Sequence, residues 1–178
     1  MKKGNIQMFY GKINKCDTAN GPGVRVSLFV SGCRNHCKGC FQPETWNFNY
    51  GQPFTEETAD IIIKLLEPVY ISGFSLLGGE PFEKENQKVL IPLLKRIKQT
   101  YPDKTIWCYT GYTLTDDIDM SDRAKSDTSK DMLSYIDVLV DGQFKIEEKD
   151  ISLLFRGSRN QRLINMNETR NQRKIILL

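Results

Sequence analysis

Long apolar runs are absent from this sequence. No stretch approaches the roughly 18 apolar residues that a helix needs to span a bilayer. The amino end, Met1-Lys2-Lys3, is followed by polar Gly4 and Asn5, where a signal peptide would have an apolar core. From these absences we expect a cytoplasmic protein with no membrane partner.

Strong charge of one sign is absent as well. The formal net charge is +3 over 178 residues. Nucleic-acid-binding domains usually carry a clustered basic face on a strongly basic domain, so we predict no nucleic-acid partner. A chain of this length, 39% hydrophobic, buries enough surface for one compact domain, and we expect residues 1–178 to form it.

The cysteines do not have the distribution of a disulfide framework. Of the five cysteines, Cys33, Cys37 and Cys40 lie within eight positions. Secreted scaffolds instead spread an even number of cysteines along a short chain. In a protein expected in the cytoplasm, clustered cysteines indicate metal or redox chemistry.

Predicted strands alternate with predicted amphipathic helices. Apolar runs bounded by glycine predict strands at 24–30, 74–77, 104–110 and 138–140. Thr55 is expected to cap a first helix, and a second is predicted around residues 89–97. The apolar face of the first helix is predicted to contain Ile61, Ile62, Leu65, Leu66 and Val69. The alternation favours an α/β fold with a parallel sheet.

Two polar segments lie outside this pattern. Residues 116–130 are charged and poor in apolar side chains, so we expect a mobile surface insertion there. The other segment is rich in basic residues and begins at Arg156; it includes Arg159, Arg162, Arg170, Arg173 and Lys174. It fits either a solvated basic tail or a docking surface for an acidic partner.

The spacing of the three clustered cysteines predicts one metal centre. Three and then two residues separate Cys33, Cys37 and Cys40, on a loop that follows a predicted strand. Thiolates are the usual ligands of iron–sulfur clusters, and three protein ligands leave one coordination position open, as catalytic metal sites do. The alternative is a structural zinc site completed by His36 or Cys16.

Further polar residues follow the other predicted strands. Gly78, Gly79 and Glu80 end the second strand, and the glycines allow close approach of a ligand to the backbone. A carboxylate there can accept hydrogen bonds from an ammonium group. Thr110 and Asp141 follow the third and fourth strands. Open α/β sheets bind ligands at this edge, although simple strand-ending turns explain Thr110 and Asp141 equally well.

The CxxxCxxC spacing resembles the signature of the radical S-adenosylmethionine superfamily. The ordered motifs together resemble the small glycyl-radical activases that act on anaerobic ribonucleoside-triphosphate reductase. These motifs are GPGVR at 21–25, SGC to GCF at 31–41, LLGGEPF at 76–82, VLVDGQF at 138–144 and FRGSRNQR at 155–162. The resemblance covers nearly the whole chain.

The resemblance implies a fold, cofactors, site residues and partners. The fold would be an open partial (β/α) barrel with a mainly parallel sheet, and the cofactors a [4Fe-4S] cluster and S-adenosylmethionine. The cluster ligands would be Cys33, Cys37 and Cys40, with no catalytic residue beyond the cluster and cofactor. The cofactor-binding residues would be Gly39, Cys40, Phe41, Gly78, Gly79, Glu80, Thr110 and Asp141.

The implied reaction is the reductive cleavage of S-adenosylmethionine, whose 5'-deoxyadenosyl radical takes a hydrogen atom from a glycine of the reductase. A flavodoxin or ferredoxin would donate the electron. Two alternatives stay open. One is another small radical enzyme, similar to a pyruvate formate-lyase activase or a deazapurine synthase. The other is a non-catalytic iron–sulfur or zinc module that senses redox state.

Overall fold

The computed structural model describes residues 7–178 and has a mixed α/β fold. The strands are β1 (Phe9–Asp17), β2 (Val24–Val30), β3 (Gln52–Pro53), β4 (Ile71–Gly78), β5 (Thr105–Tyr109), β6 (Val138–Asp141) and β7 (Arg162–Asn165). The α-helices are α1 (Glu56–Leu65), α2 (Lys84–Thr100), α3 (Ser129–Ser134) and α4 (Met166–Gln172).

All seven strands belong to one sheet, in the order β3-β1-β2-β4-β5-β6-β7. The central pairs, β2–β4, β4–β5 and β5–β6, are parallel. The outer pairs, β3–β1, β1–β2 and β6–β7, are antiparallel. The predicted α/β class and the parallel centre of the sheet are confirmed, and each of the four predicted strands is present. The three outer strands were not predicted.

Helices α1 and α2 lie where the sequence predicts helices. The side chain of Thr55 accepts a hydrogen bond from the backbone N–H of Thr58, which confirms the predicted cap. The apolar face predicted for α1 is wrong at two positions. Ile61 is 53% exposed, and the helix stops at Leu65 so that Val69 lies beyond it and is 98% exposed. Within residues 7–178, no helix combines the length and the apolar character needed to cross a membrane.

The two faces of the sheet differ in character. One face packs its apolar side chains against the helices in a continuous core that includes Leu28, Phe74, Ile106 and Leu139. The alternate residues of the same strands point to the opposite face. That face holds a small apolar group around Trp107 and, on β2 and β4, the buried polar residues Arg25, Ser27 and Ser75.

Arg25 is a fully buried cation on this second face. Its guanidinium donates to Ser75 Oγ at 2.7 Å, to the Phe74 carbonyl at 2.9 Å and to the Thr105 carbonyl at 2.8 Å. Burial lowers the pKa of Arg25 to about 10, so the group is still charged at neutral pH. Arg25 therefore crosslinks β2 to β4 and β5 through its own hydrogen bonds.

The prediction of a mobile insertion at residues 116–130 is wrong. Met120 and Ala124 are fully buried in the main core, and Asp119 and Ser129 are also buried. The carbonyl of Ala124 accepts a hydrogen bond of 2.7 Å from Gln87 Nε2 on α2. A few well-placed apolar side chains anchor a segment that is polar on average.

The basic segment from Arg156 onward is a solvated tail only in part, because Arg159, Arg173 and Lys174 are exposed whereas Arg162 and Arg170 make contacts within the fold. Arg162 pairs with the buried Asp141 carboxylate, with Nε 2.9 Å from Oδ1. Arg170 donates to the carbonyls of Leu133 and Ile136, both at 3.0 Å, where α3 ends. These arginines serve the fold, so an exchange of Arg170 for glutamate would test stability rather than docking.

Candidate functional site

The carboxyl ends of the four central strands meet at one edge of the sheet. The three-cysteine loop, residues 33–40, follows β2, and Gly79 and Glu80 follow β4 directly. Thr110 and Gly142 follow β5 and β6. The backbone ties the first two loops together, because Glu80 N–H donates to the Gly32 carbonyl at 2.8 Å. Motifs far apart in the sequence therefore converge at the edge where open α/β sheets bind ligands.

A cavity of about 340 Å³ lies at this edge. Most of the residues predicted to bind the cluster or the cofactor line this cavity. They are Cys33, Cys37, Cys40, Phe41, Gly78, Gly79, Glu80 and Thr110. We call this space the first cavity. All three clustered cysteines share it with the glycine pair and its carboxylate, so the residues needed for a metal centre and an adjacent small ligand are in one place.

Two of the predicted cofactor-binding residues do not line the first cavity. Gly39 has a φ of +75°, and a Cβ there would lie 3.0 Å from the Ile146 side chain, so glycine is needed for the turn. Asp141 is fully buried, pairs with Arg162, and accepts the Leu114 N–H at 2.7 Å. Both residues support the loops around the cavity.

Phe41 stands on the rim of the first cavity with 80% of its surface exposed. It follows Cys40 directly, in a loop whose turn is closed by the Cys40 N–H donating to the Cys37 carbonyl at 3.1 Å. A large aromatic side chain in water at the mouth of a cavity is positioned to cover a ligand bound inside.

The three-cysteine loop is fixed by its own polar residues. The N–H of Arg34 donates to Glu83 Oε1 at 2.8 Å, and the Arg34 guanidinium pairs with Glu83 and Glu85 at the start of α2. Asn35 Nδ2 donates to Glu80 Oε2 at 3.0 Å. Within the loop, the His36 ring stacks on Trp46 with 4.6 Å between ring centroids.

Burial controls the protonation of the thiols. It raises the pKa of Cys33 to about 12, with the Glu80 carboxylate adding to the rise, and it also raises the pKa of Cys37. Both thiols are therefore neutral at pH 7 until a metal replaces their protons. A metal centre that bound to these sulfur atoms would displace their protons.

Glu80 is fully buried and connects three segments of the site. Its carboxylate accepts hydrogen bonds from Phe82 N–H at 2.9 Å, Thr110 Oγ1 at 2.7 Å and Gly111 N–H at 2.7 Å, in addition to Asn35. Burial raises the pKa of Glu80 to about 7, although these hydrogen bonds favour the charged form. Glu80, which the sequence predicts to accept a hydrogen bond from an ammonium group, thus also connects the three-cysteine loop to the ends of β4 and β5.

The structure adds residues to the site that the sequence did not assign to the cluster or the cofactor. The hydroxyl of Tyr109, at the end of β5, lies at the wall of the first cavity and is buried without a hydrogen-bond partner in residues 7–178. Buried hydroxyl groups in native proteins usually have a partner, so a polar group of a ligand is expected there. Further walls come from Trp46, Phe144, Phe155, Arg156 and Gln161. The last three lie in the FRGSRNQR motif, which was the available sequence signal.

The donor set fits an iron–sulfur cluster. Three thiols line one cavity, and sulfur ligands of this kind hold such clusters. In residues 7–178, no three His, Cys, Asp or Glu side chains, the three cysteines included, lie close enough together to bind a single metal ion. Neither His36 nor Cys16, the fourth ligand of the zinc alternative, lines the first cavity. Space for a second ligand beside the thiols is provided by the glycines and Tyr109.

We expect Glu83→Gln to weaken binding of the metal centre. Glu83 is buried and receives the Arg34 N–H, the Arg34 guanidinium and the Tyr112 hydroxyl. Loss of its charge loosens the three-cysteine loop, and loss of such supporting contacts typically costs about 10- to 100-fold in metal affinity. Iron and sulfide bound per chain after anaerobic reconstitution measure the effect.

Glu85→Gln is the matched control for that variant. Glu85 also pairs with Arg34, but its side chain is 45% exposed, and exposed ion pairs contribute about 0–1 kcal/mol. Its iron content is expected to equal that of the unaltered protein. Equal iron content in the two variants would contradict an anchoring role for Glu83.

Comparison with known proteins agrees with this site. A family model described as a 4Fe-4S single cluster domain matches residues 19–164. The chain is 42% identical to a protein of Pasteurella multocida over 157 residues, which cover 86% of this chain and 95% of the relative. It is 43% identical to one of Vibrio cholerae, over 86% of this chain and 96% of the relative. A protein of Enterobacteria phage T4 is 40% identical, over 88% of this chain and 93% of the relative.

The fold, the three-cysteine loop and the family match define an iron–sulfur protein of the α/β class. Each of the three relatives is named anaerobic ribonucleoside-triphosphate reductase-activating protein. The chain belongs to this family of activating proteins, as its identity to them over most of both lengths shows. The family predicted from the motifs is thereby confirmed.

Proposed function

We propose that this protein generates the glycyl radical of an anaerobic ribonucleoside-triphosphate reductase. The observation that carries the proposal is the first cavity, which is lined by three thiols, the Gly78-Gly79-Glu80 segment and Tyr109, whose hydroxyl has no hydrogen-bond partner in residues 7–178. When bound, a reduced [4Fe-4S] cluster supplies the electron that cleaves S-adenosylmethionine into methionine and a 5'-deoxyadenosyl radical, which takes a hydrogen atom from a glycine Cα.

The residues of this chain would hold, orient and shield the reacting groups. Cys33, Cys37 and Cys40 would bind the cluster through their thiolates and leave one iron free for the cofactor. The glycines permit close approach to the backbone, and Glu80 would accept a hydrogen bond from the ammonium group of S-adenosylmethionine. Phe41 at the rim would exclude water, since exclusion of solvent protects a reactive intermediate.

The proposal extends to the fold and to the electron source. We propose that the sheet forms an open partial (β/α) barrel in which residues 1–178 make one radical S-adenosylmethionine domain. Four parallel strands at the sheet centre and the site at their carboxyl ends support this architecture. A flavodoxin or ferredoxin stays the predicted electron donor, with the cytoplasm as the predicted location.

Radical formation on the partner tests the proposal. The reconstituted protein is incubated anaerobically with dithionite, S-adenosylmethionine and the cognate reductase. Electron paramagnetic resonance is expected to show a glycyl radical on the reductase, with one methionine released per radical. A reductase whose radical-bearing glycine is replaced by alanine is the control. Cleavage of S-adenosylmethionine without a radical on any partner would favour a different radical enzyme, and no cleavage would favour a non-catalytic module.

A further inference from the structure

An aromatic side chain forms part of the first cavity's wall next to the three-cysteine loop. A short 3₁₀-helix, Pro43–Trp46, follows the loop, and its last two residues bind the start of the loop through the backbone. The N–H of Gly32 donates to the Thr45 carbonyl at 2.8 Å. The N–H of Cys33 donates to the Trp46 carbonyl at 3.3 Å. Trp46 is therefore fixed beside the first of the three cysteines.

The side chain of Trp46 contacts the loop a second time. Its indole stacks on the ring of His36, with 4.6 Å between ring centroids and 28° between the ring planes. Trp46 is half-buried and lines the first cavity together with the three thiols, whereas His36 is exposed and does not line it. The two rings thus form a stack that begins at the surface of the loop and ends at the wall of the cavity.

The backbone conformation of His36 does not require a ring at this position. Its φ of +46° lies in the left-handed region, where asparagine is enriched as histidine is. An asparagine would make the same turn but has no ring to stack on Trp46. The contact with the indole is therefore what the histidine ring adds to the loop.

We propose that Trp46 is the barrier between solvent and the iron–sulfur cluster, and that His36 is the positioning residue that holds the indole in place. This inference rests on the cluster of the proposed function. The apolar groups around a metal site control its access to solvent and hence its reduction potential. Water stabilises the additional negative charge of a reduced cluster, so a site opened to solvent has a higher potential. A higher potential makes the reduced cluster a weaker electron donor to S-adenosylmethionine.

Two variants of His36 separate the ring from the backbone turn. His36→Asn keeps the turn and removes the ring. His36→Phe keeps a ring, in a backbone conformation that phenylalanine adopts less readily than asparagine. If the ring holds the barrier, only His36→Asn weakens it. If the turn alone is important, only His36→Phe has an effect.

The lifetime of the cluster in air tests the inference. Reconstituted variants with equal iron content are exposed to air without S-adenosylmethionine, and the loss of the cluster absorbance is followed. Trp46→Leu is expected to lose the cluster about tenfold faster, at the lower end of the effect of altered contacts around a metal site. His36→Asn is expected to lose it about threefold faster, since one stacked aromatic pair is a modest contact, and His36→Phe no faster. Tyr70→Ala is the matched control, because Tyr70 is a 65% exposed aromatic residue directly before β4, and its lifetime is unchanged.

Two further measurements separate the barrier from a general loss of structure. The reduction potential, from a titration followed by electron paramagnetic resonance, is expected to be higher in Trp46→Leu and His36→Asn than in the unaltered protein. In the iron-free protein, acrylamide is expected to quench tryptophan fluorescence more strongly in His36→Asn. This quenching reports on Trp46, because Trp107, the other of the two tryptophans, is only 5% exposed. If Trp46→Leu takes up no cluster, the His36 variants decide the result.

Equal cluster lifetimes in His36→Asn and the unaltered protein would overturn the inference, and so would a loss confined to His36→Phe. Cleavage of S-adenosylmethionine by the unaltered protein is measured in parallel. Its failure would reject the proposed function whatever the lifetimes, whereas normal cleavage with equal lifetimes in all variants would reject only this inference.

Discussion

Replacement of Cys37 by alanine is expected to reduce cleavage of S-adenosylmethionine by more than about 100-fold. Loss of a supporting contact around a metal site already costs about 10- to 100-fold, and Cys37 is a predicted ligand with its thiol at the first cavity. Two remaining thiols would leave the cluster without a third anchor. The measurement is 5'-deoxyadenosine formed by the dithionite-reduced, reconstituted protein, quantified by liquid chromatography.

Cys16→Ala is the matched control for Cys37→Ala. Cys16 lies on β1, is exposed, and does not line the first cavity. Its variant is expected to retain full iron content and full cleavage. Cleavage by the Cys37 variant at the rate of the Cys16 variant would contradict the three-cysteine site, and a loss in both variants would bring back the alternative of Cys16 as a metal ligand.

Glu80→Ala is expected to lower the free energy of unfolding by about 3 kcal/mol or more at pH 6. The substitution leaves four donors at the wall of the first cavity without their acceptor, and each buried unpaired group costs about 1–3 kcal/mol. Water entering the enlarged cavity would satisfy part of this loss. Urea denaturation of the protein prepared without iron, followed by circular dichroism, measures the change.

The titration of Glu80 is expected to make the free energy of unfolding depend on pH. Its pKa is raised to about 7 in the folded protein, above the ordinary value of 4.5. The folded state therefore binds more protons between these pH values. The contribution of Glu80 to stability is fully present below pH 4.5 and falls by up to about 3 kcal/mol as the pH rises through 7. Glu80→Gln removes this fall, because the amide does not titrate. If the free energy of unfolding varied with pH in the same way in the unaltered protein and in Glu80→Gln, the raised pKa of Glu80 would be contradicted.

The central part of the fold was predictable because local sequence is sufficient there. Residues 24–30 are β-branched or apolar at most positions and form β2 with the predicted bounds. Outer strands lack this signal, since β1 is mostly half-buried or exposed and β3 has only two residues. The burial of residues 116–130 depends on contacts with α2 that no local pattern reveals. Average polarity was therefore a poor guide to mobility.

The candidate site was predictable as far as its motifs reach. The cysteines and the Gly78-Gly79-Glu80 segment were predicted from their spacing in the sequence, and they line one cavity. The contacts of Glu83 with Arg34 and of Asp141 with Arg162 join residues far apart in the chain, so the sequence could not assign them. For the same reason, the Tyr109 hydroxyl, which has no hydrogen-bond partner in residues 7–178, became visible only in three dimensions.

The buried guanidinium of Arg25 has a consequence for local opening of the sheet. Separation of β2 from β4 or β5 would strip a charged group of several hydrogen bonds at once, in an interior that cannot solvate it. These three strands therefore open as a single cooperative unit, while the outer strands can fray without them. Since the three-cysteine loop follows β2 and Glu80 follows β4, fluctuations at the margins of the sheet leave the spacing between thiols and carboxylate intact.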